Sequence, residues 1–283
     1  MIFFFRAISP IKRLEFSNLF FMQYFFYICN MRIVCISDTH TKHRDMELYS
    51  PLPQGDILIH AGDLSNRGSQ TDVEEFIEWF GGLEGFKYKI FIAGNHDFSF
   101  ERASNVRSNI VDPYEWFRKI INEEYLSKRD IVYLEDNQFI LNDERFSRPI
   151  KIWGSPWQPE FYNWAFNLPR NGEELKEKWD LIPMDTDILI THGPPHECRD
   201  FIPPSYGGQK VGCELLRKRV DEVKPLLHVF GHIHYAYGSA YIGDTLFVNA
   251  SVCTERYDPW NKPQVVELTE YDGDIVAVYV ENN

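Results

Sequence analysis

The chain has 283 residues, 44% of them hydrophobic and 25% charged, enough apolar side chain to fill one large core. Its formal net charge of -13 provides no basic surface for a nucleic-acid backbone or an anionic membrane. The cysteines Cys29, Cys35, Cys198, Cys213 and Cys253 are odd in number, scattered and without a CxxC pair. That pattern belongs to reduced thiols in a cytoplasmic protein rather than to a disulfide framework or a structural zinc knot.

Residues 1–30 are rich in phenylalanine and carry Arg6, Lys12 and Arg13 ahead of an apolar stretch over 19–29. The stretch is shorter than the roughly 18 residues of a spanning helix, so no membrane span is expected. Its long charged leader and missing small-x-small cleavage pattern disfavour a secretory signal. The segment reads as an extension outside the fold, with a membrane-surface anchor as the second reading. Residues 31–283 read as one domain, because no Ser/Gly linker or low-complexity tract divides them.

From Met31 to about residue 100 the pattern alternates strand, loop and helix. The runs Ile33-Val34-Cys35-Ile36, Ile57-Leu58-Ile59 and Ile90-Phe91-Ile92 predict strands, and the apolar spacing over 72–80 predicts a helix that stops at Gly81-Gly82. This is parallel-sheet grammar, with functional loops at the carboxyl ends of strands. A second helix is predicted from Asp112-Pro113 to about Ser127, burying Trp116, Phe117, Ile120, Ile121 and Tyr125. Residues 131–153 read as short strands around a polar turn at Asn142-Asp143-Glu144, followed by a Trp/Pro-rich loop over 153–161. Residues 188–190 and 226–230 are further strands, with a helix over 213–224 between them. The alternating runs at 246–249, 264–268 and 275–279 read as mostly antiparallel strands. The C-terminal half is therefore expected to build a second sheet, giving an α/β fold: a two-sheet β-sandwich flanked by helices.

Five short segments follow the five strand-forming runs: Asp38-Thr39-His40, Gly62-Asp63, Gly94-Asn95-His96-Asp97, His192 and Gly231-His232-Ile233-His234. Singly they are ordinary; Gly-Asp is common turn chemistry, and a lone His before Gly193-Pro194-Pro195 reads as a turn residue. In this order, each at a strand exit, they predict one metal site. Asp38 and His40, as alternate residues of an extended segment, are expected to share a face, so that one ion takes both. Asn95 suits a neutral oxygen ligand, which leaves its neighbour His96 to face a substrate.

On these motifs residues 31–250 resemble the calcineurin-like metallophosphoesterase superfamily, all of whose five motifs are present. A narrower similarity runs through Leu58-Ile59-His60-Ala61-Gly62-Asp63-Leu64, Gly154-Ser155-Pro156-Trp157, Phe166-Asn167-Leu168-Pro169-Arg170, Thr191-His192-Gly193-Pro194-Pro195 and Asn249-Ala250-Ser251. That combination is similar to the metallophosphoesterase-domain-containing (MPPED-type) family. The resemblance implies a four-layer architecture and metal-dependent hydrolysis of small phosphodiesters, cyclic nucleotides among them. It implies two divalent metal ions, one held by Asp38, His40, Asp63 and His234, the other by Asp63, Asn95, His192 and His232. Asp63 would bridge them at roughly 3.5–4 Å. A ligand set without cysteine favours manganese, with Fe2+, Zn2+ or Mg2+ as alternatives.

Water between two such ions ionises near neutral pH, and the hydroxide attacks phosphorus opposite the leaving oxygen. His96 is the candidate for protonating that oxygen. Arg67, Asn95, His96 and Asn249 are the expected substrate contacts. Gly62-Asp63-Leu64-Ser65-Asn66-Arg67-Gly68 is similar to the Gly-Asp-x-x-Asp-Arg-Gly of Ser/Thr phosphatases, but Asn66 replaces the second acid. His96 therefore lacks a carboxylate partner from that position, and Asp97 is the alternative. His60 and His228 are expected as hydrogen-bonded core residues, while His43 and His196 lie on loops near the site. Trp153, Trp157 and Phe161 offer either a stacking face for a nucleobase or packing against the sheet. The expected partner is a small phosphodiester or nucleotide. Competing readings are a phosphomonoesterase or protein phosphatase, and a low-turnover nucleotide-binding scaffold.

Overall fold

In strand β1 (Met31–Ile36) side chains alternate between two apolar layers: Met31, Ile33 and Cys35 enter one, Val34 and Ile36 the other. The computed structural model, which describes residues 30–105 and 114–281, repeats this division along β2 (Ile57–Ala61), β3 (Tyr88–Ile92) and β4 (Ile131–Tyr133). These four strands run parallel. β13 (Gln264–Tyr271) joins β1 antiparallel and β14 (Asp274–Val280) closes the edge, in the order β14-β13-β1-β2-β3-β4.

The second sheet contains β5 (Asn137–Leu141), β6 (Ile150–Ser155), β9 (Ile188–Thr191), β10 (Leu227–Phe230), β11 (Gly238–Ile242) and β12 (Thr245–Asn249). Its order is β11-β12-β10-β9-β6-β5, parallel in the middle and antiparallel at both edges. A small parallel pair, β7 (Gln158–Pro159) with β8 (Asn167–Leu168), stands apart. Ile33, Ile59, Ile90, Ile190, Val229 and Val248 meet between the sheets. Burying each such side chain is worth about 1.5–3 kcal/mol.

Helices cover both outer faces. On the first sheet lie α1 (His43–Tyr49), α2 (Gln70–Gly82), α3 (Phe98–Asn105), α4 (Glu115–Ile120) and α5 (Glu123–Ser127). α6 (Glu173–Asp180) and α7 (Glu214–Val223) bury Leu175, Trp179, Leu216 and Val220 on the second. The four-layer α/β sandwich is thus the observed fold.

Three expectations differ from what forms. The antiparallel runs do not all extend the second sheet: β12 does, pairing parallel with β10, but β13 and β14 return to the first. Alternation identifies a strand without naming its neighbour. The helix expected to Ser127 has its predicted start, Asp112-Pro113, outside the described residues, and its remainder breaks at Asn122. There the backbone turns extended and the side-chain Oδ1 accepts from Tyr125 N, capping α5. The reading of 1–30 as an extension falls outside the described residues except at Asn30, whose amide bonds Glu267 and Thr269 on β13. Among the described residues no helix is long and apolar enough to cross a membrane.

Candidate metal centre

The parallel strands β1, β2 and β3 bring the loops at their carboxyl ends together, and β9 with β10 does the same in the other sheet. Hydrogen bonds stitch the loops into one floor. Asp38 N–H donates to Gly62 O at 2.9 Å, His40 N–H to Asp63 O at 3.0 Å, and Gly231 N–H to His192 O at 2.9 Å. Others cross between the sheets, among them His192 Nδ1 to Ala61 O at 3.0 Å and His232 N–H to both oxygens of Asp38 at 3.0 Å.

Asp38 and His40 do not sit on an extended segment as expected. Their φ angles are 54° and 43°, and Asp63 and His232 are likewise left-handed at 56° and 66°. Such backbone is uncommon for residues with a Cβ and persists where surrounding structure over-determines it. Here the lateral bonds do so, turning each side chain inward.

The glycines of the motifs have a steric reason. A Cβ on Gly94 would overlap the Asp63 carboxylate, and one on Gly231 would overlap the Asp38 carboxylate and the Ser37 hydroxyl. At Gly62 the φ of +97° is itself a glycine conformation, and a Cβ would stand 2.6 Å from His192 Nδ1. Only bare backbone allows the ligand loops to approach this closely.

Within this floor three overlapping groups form: Asp38 with His40 and His234, His40 with Asp63 and His96, and Asp63 with His192 and His232. In each, one ligand atom per residue lies within 4.8 Å of the others. Asn95 joins the third through its Oδ1, 2.9 Å from His192 Nε2. Asp63 belongs to two of them, the position a bridging carboxylate needs. Carbonyl oxygens fix the rings: His192 Nδ1–H donates to Ala61 O, and His234 Nδ1–H donates to Thr254 O at 2.8 Å. Each Nε2 is left aimed at a carboxylate, 3.3 Å from Asp63 Oδ2 and 3.2 Å from Asp38 Oδ1 respectively. This orienting of one ring nitrogen by backbone is the usual support of a metal-ligating histidine. His40 is 1% exposed with neither ring nitrogen hydrogen-bonded, a costly arrangement that a bound cation relieves. The donor set therefore fits divalent ions of the Mn2+, Fe2+ or Zn2+ kind.

Residues 31–236 match the calcineurin-like phosphoesterase family. The chain belongs to that family. It is 44% identical over 245 residues to Metallophosphoesterase domain-containing protein 1 of Homo sapiens, covering 84% of this chain and 71% of the human one. A UPF0046 protein of Caenorhabditis elegans is 35% identical over 260 residues, covering 90% and 86% respectively. In structure the chain is similar to TT1561 of Thermus thermophilus, with a TM-score of 0.53 at 15% identity, over 89% of this chain and 99% of the other. This calcineurin-like phosphoesterase is a hydrolase of phosphoric esters, in a family that uses a dinuclear divalent metal site.

The electrostatics of the phosphoesterase site are those of a cradle for cations. Burial alone would raise the Asp38 carboxyl, yet the hydrogen bond and charge of His234, with His192 and His40, hold it well below the usual range. Asp63 is held down against burial by His192, His96 and His40. Burial pushes His40 down to about 4 and His232 down to about 3, so both present neutral rings at pH 7. His192 goes the other way: burial opposes its charge, but Asp63 and Asp38 lift it to about 9. Its Nε2 faces both Asp63 Oδ2 and Asn95 Oδ1, acceptors that favour a proton there.

Above this floor opens a cavity of about 580 Å³. His96 lies on its wall, its ring stacked on Trp164 at 4.1 Å and its Nε2 4.0 Å from Asp63 Oδ2. The partner that orients it is the backbone carbonyl of Asn66, which accepts from Nδ1 at 2.9 Å. Asp97 does not serve: its buried carboxylate accepts from the backbone of Leu64, Ser65 and Gly94 and from the Ser65 hydroxyl, stapling two ligand loops. Burial and the Asp63 charge raise it to about 6 against those donors. Arg67 also lines the cavity, its guanidinium 5.1 Å from the Trp164 ring centre.

Other expected contacts are placed elsewhere. Asn249, expected to touch substrate, is fully buried, and its amide is spent on Ile233 O and Ser251 N, bracing the His232–His234 loop. His43 opens α1 and packs on Trp79 at 4.6 Å, while His196 does not line the cavity. His60 and His228 are core histidines bonded to Thr39 and Thr191, each at 2.9 Å. Trp153 is buried, and Trp157 donates to Asp136; of the three aromatics suggested for stacking, only Phe161 reaches the cavity. Trp164, Tyr257 and Ser251 were not anticipated as site residues. Trp164 ends the aromatic-rich run Phe161-Tyr162-Asn163-Trp164, the one signal that pointed to it.

Proposed function

We propose that the chain is a phosphodiesterase for small diesters, cyclic nucleotides among them. Asp38, His40, Asp63 and His234 would hold one divalent ion and Asp63, Asn95, His192 and His232 the other, with manganese the favoured metal. The observation that carries this reading is the convergence of these buried groups under an open, aromatic-walled cavity. Bound there, the ions supply Lewis acidity and a water that ionises near neutral pH.

The chain's own residues do the rest. Asp63 spans the floor and receives the His96 main-chain N–H at 2.8 Å on Oδ1, which ties the proton donor to the bridging position. With Nδ1–H held by Asn66 O, the other nitrogen of His96 faces the cavity and hands its proton to the departing oxygen. Trp164 fixes the plane of that ring. Arg67 stands where its planar fork can take an equatorial phosphoryl oxygen. Buried, unpaired cysteines at 35, 198, 213 and 253 suit a reducing cytoplasm.

Replacing Asp63 with alanine is expected to abolish hydrolysis of bis(4-nitrophenyl) phosphate in manganese while circular dichroism stays unchanged; full activity in that variant would exclude the mechanism. The monoesterase reading has Arg67 in its favour. A strong preference for 4-nitrophenyl phosphate over the diester would establish it instead.

A further inference from the structure

A second cavity, of about 690 Å³, lies against the first and shares Phe161, Tyr162, His232, His234 and Tyr257 with it. His96 and Trp164 line only the first; Arg170, Tyr206, Gln209 and Tyr235 line only the second. Two of the ligand histidines, His232 and His234, thus stand where the two compartments meet, while Asp63, Asn95 and the proton donor line only the first.

The frame of the second compartment is the segment Phe166–Arg170 that the sequence singled out. Phe166 packs edge-on to Trp157 at 5.4 Å. Asn167 Nδ2 donates to Phe161 O and Tyr162 O, at 3.1 and 2.9 Å, and its Oδ1 accepts from Gln158 Nε2 at 3.2 Å. Those bonds hold the aromatic wall common to both cavities. Arg170 holds the opposite wall, donating to Val211 O at 2.7 Å and Gly212 O at 2.9 Å while pairing with Glu214.

We propose that this second compartment receives the ester substituent that stays on phosphorus, and that it selects an uncharged, planar, nucleoside-like arm. The inference rests on the phosphodiesterase reading. In hydrolysis of an acyclic diester, the case in which the two arms are separate molecules after cleavage, water gives a proton to solvent as its oxygen bonds to phosphorus, the bond to the leaving oxygen breaks, and that oxygen takes a proton from His96. The product is an alcohol and a monoester bearing the retained arm. Because His96 lines only the first cavity, the leaving alcohol occupies that side, and the retained arm is directed to the other. A monoester has no such arm to place.

The chemistry of the lining sets the class of arm. Tyr206 and Tyr235 lie 5.0 Å apart beside Tyr162 and supply aromatic faces. Gln158, 1% exposed, lines the compartment with its Oε1 lacking any hydrogen-bond partner, an acceptor open to an N–H or O–H. The Arg170 charge is consumed by Glu214 and two carbonyls, and Glu160 and Glu255 add negative charge. A further phosphate is therefore disfavoured there.

The test holds the leaving group constant and varies the arm: methyl 4-nitrophenyl phosphate against thymidine 5′-(4-nitrophenyl phosphate), on the full chain loaded with manganese. The thymidine ester is expected to have about tenfold higher kcat/KM, the worth of one stacked base. A Tyr206→Ala/Gln209→Ala double variant should bring the ratio close to one. Equal kcat/KM for both esters in the unmodified chain would overturn the inference while leaving diester hydrolysis standing. So would a preference that survives the double variant, and should that variant not fold, the ratio in the unmodified chain decides. Hydrolysis of 4-nitrophenyl phosphate with neither diester cleaved would instead defeat the underlying phosphodiesterase reading, and this inference with it.

Discussion

At Asp38 both carboxylate oxygens are engaged. The His232 main-chain N–H bonds both, the His234 ring meets Oδ1, and Ser251 Oγ donates to Oδ2 at 2.9 Å. The serine hydroxyl spends its hydrogen bond on this carboxylate, so its contribution is to hold the plane in which Asp38 would bind a cation. Groups that orient a ligand in this way typically carry 10–100-fold of metal affinity. Ser251→Ala is accordingly expected to weaken manganese binding by about tenfold in isothermal titration, with kcat restored at saturating metal. Unchanged affinity would show that the backbone alone sets the Asp38 orientation. At this scale the sequence was readable where a ligand type sat at a strand exit, and unreadable where the partner was main chain. Asn66 O orients His96 without any side-chain signal. Asn249 sits at a strand end, but position along a strand does not say whether an amide faces a cavity or braces the next loop.

Between elements, one arginine joins the two sheets at the end opposite the site. Arg145, in the turn between β5 and β6, bonds Asp143 through two nitrogens, at 2.8 and 3.0 Å. It also reaches Asp56 ahead of β2 at 2.8 Å and Asn30 O ahead of β1 at 3.0 Å. The hydrogen bonds from Arg145 hold the Asp143 carboxyl down at about 2. Because the folded value lies below the unfolded one, near 4, the carboxylate stabilises the fold fully above about pH 4. That contribution is lost as pH falls toward 2. Urea denaturation of Asp143→Asn beside the unmodified chain is expected to show a stability deficit at pH 7 that closes between about pH 4 and pH 2. A deficit independent of pH would mean that shape, and not charge, holds the turn. The polar turn at Asn142-Asp143-Glu144 was legible from composition; its tie to Asn30 and Asp56 was not, because nothing local marks a contact so distant along the chain.

Across the whole molecule, the metal centre is a seam. Asp38, His40, Asp63 and Asn95 come from the first sheet's loops, and His192, His232 and His234 come from the second's, so with the proposed ligand sets each ion would grip both halves of the sandwich. The layered fold was readable from five apolar runs with the right spacing, since fully buried parallel strands need continuous β-branched side chains. The left-handed backbone that aims the ligands was not, because it is imposed by bonds between loops rather than by the residues themselves. The seam has a thermodynamic consequence. An ion that binds only the folded state adds about 2.7 kcal/mol at a hundred times its Kd. For a domain of this size each kcal/mol shifts Tm by about 2–4 °C. Chelation is therefore expected to lower Tm by about 5–10 °C per ion lost, recovered on adding manganese and largely absent in Asp63→Asn. Calorimetric scans with and without EDTA decide it: a Tm indifferent to metal would mean that the two sheets are held by the apolar layer between them alone, and that the ions bind a surface already locked.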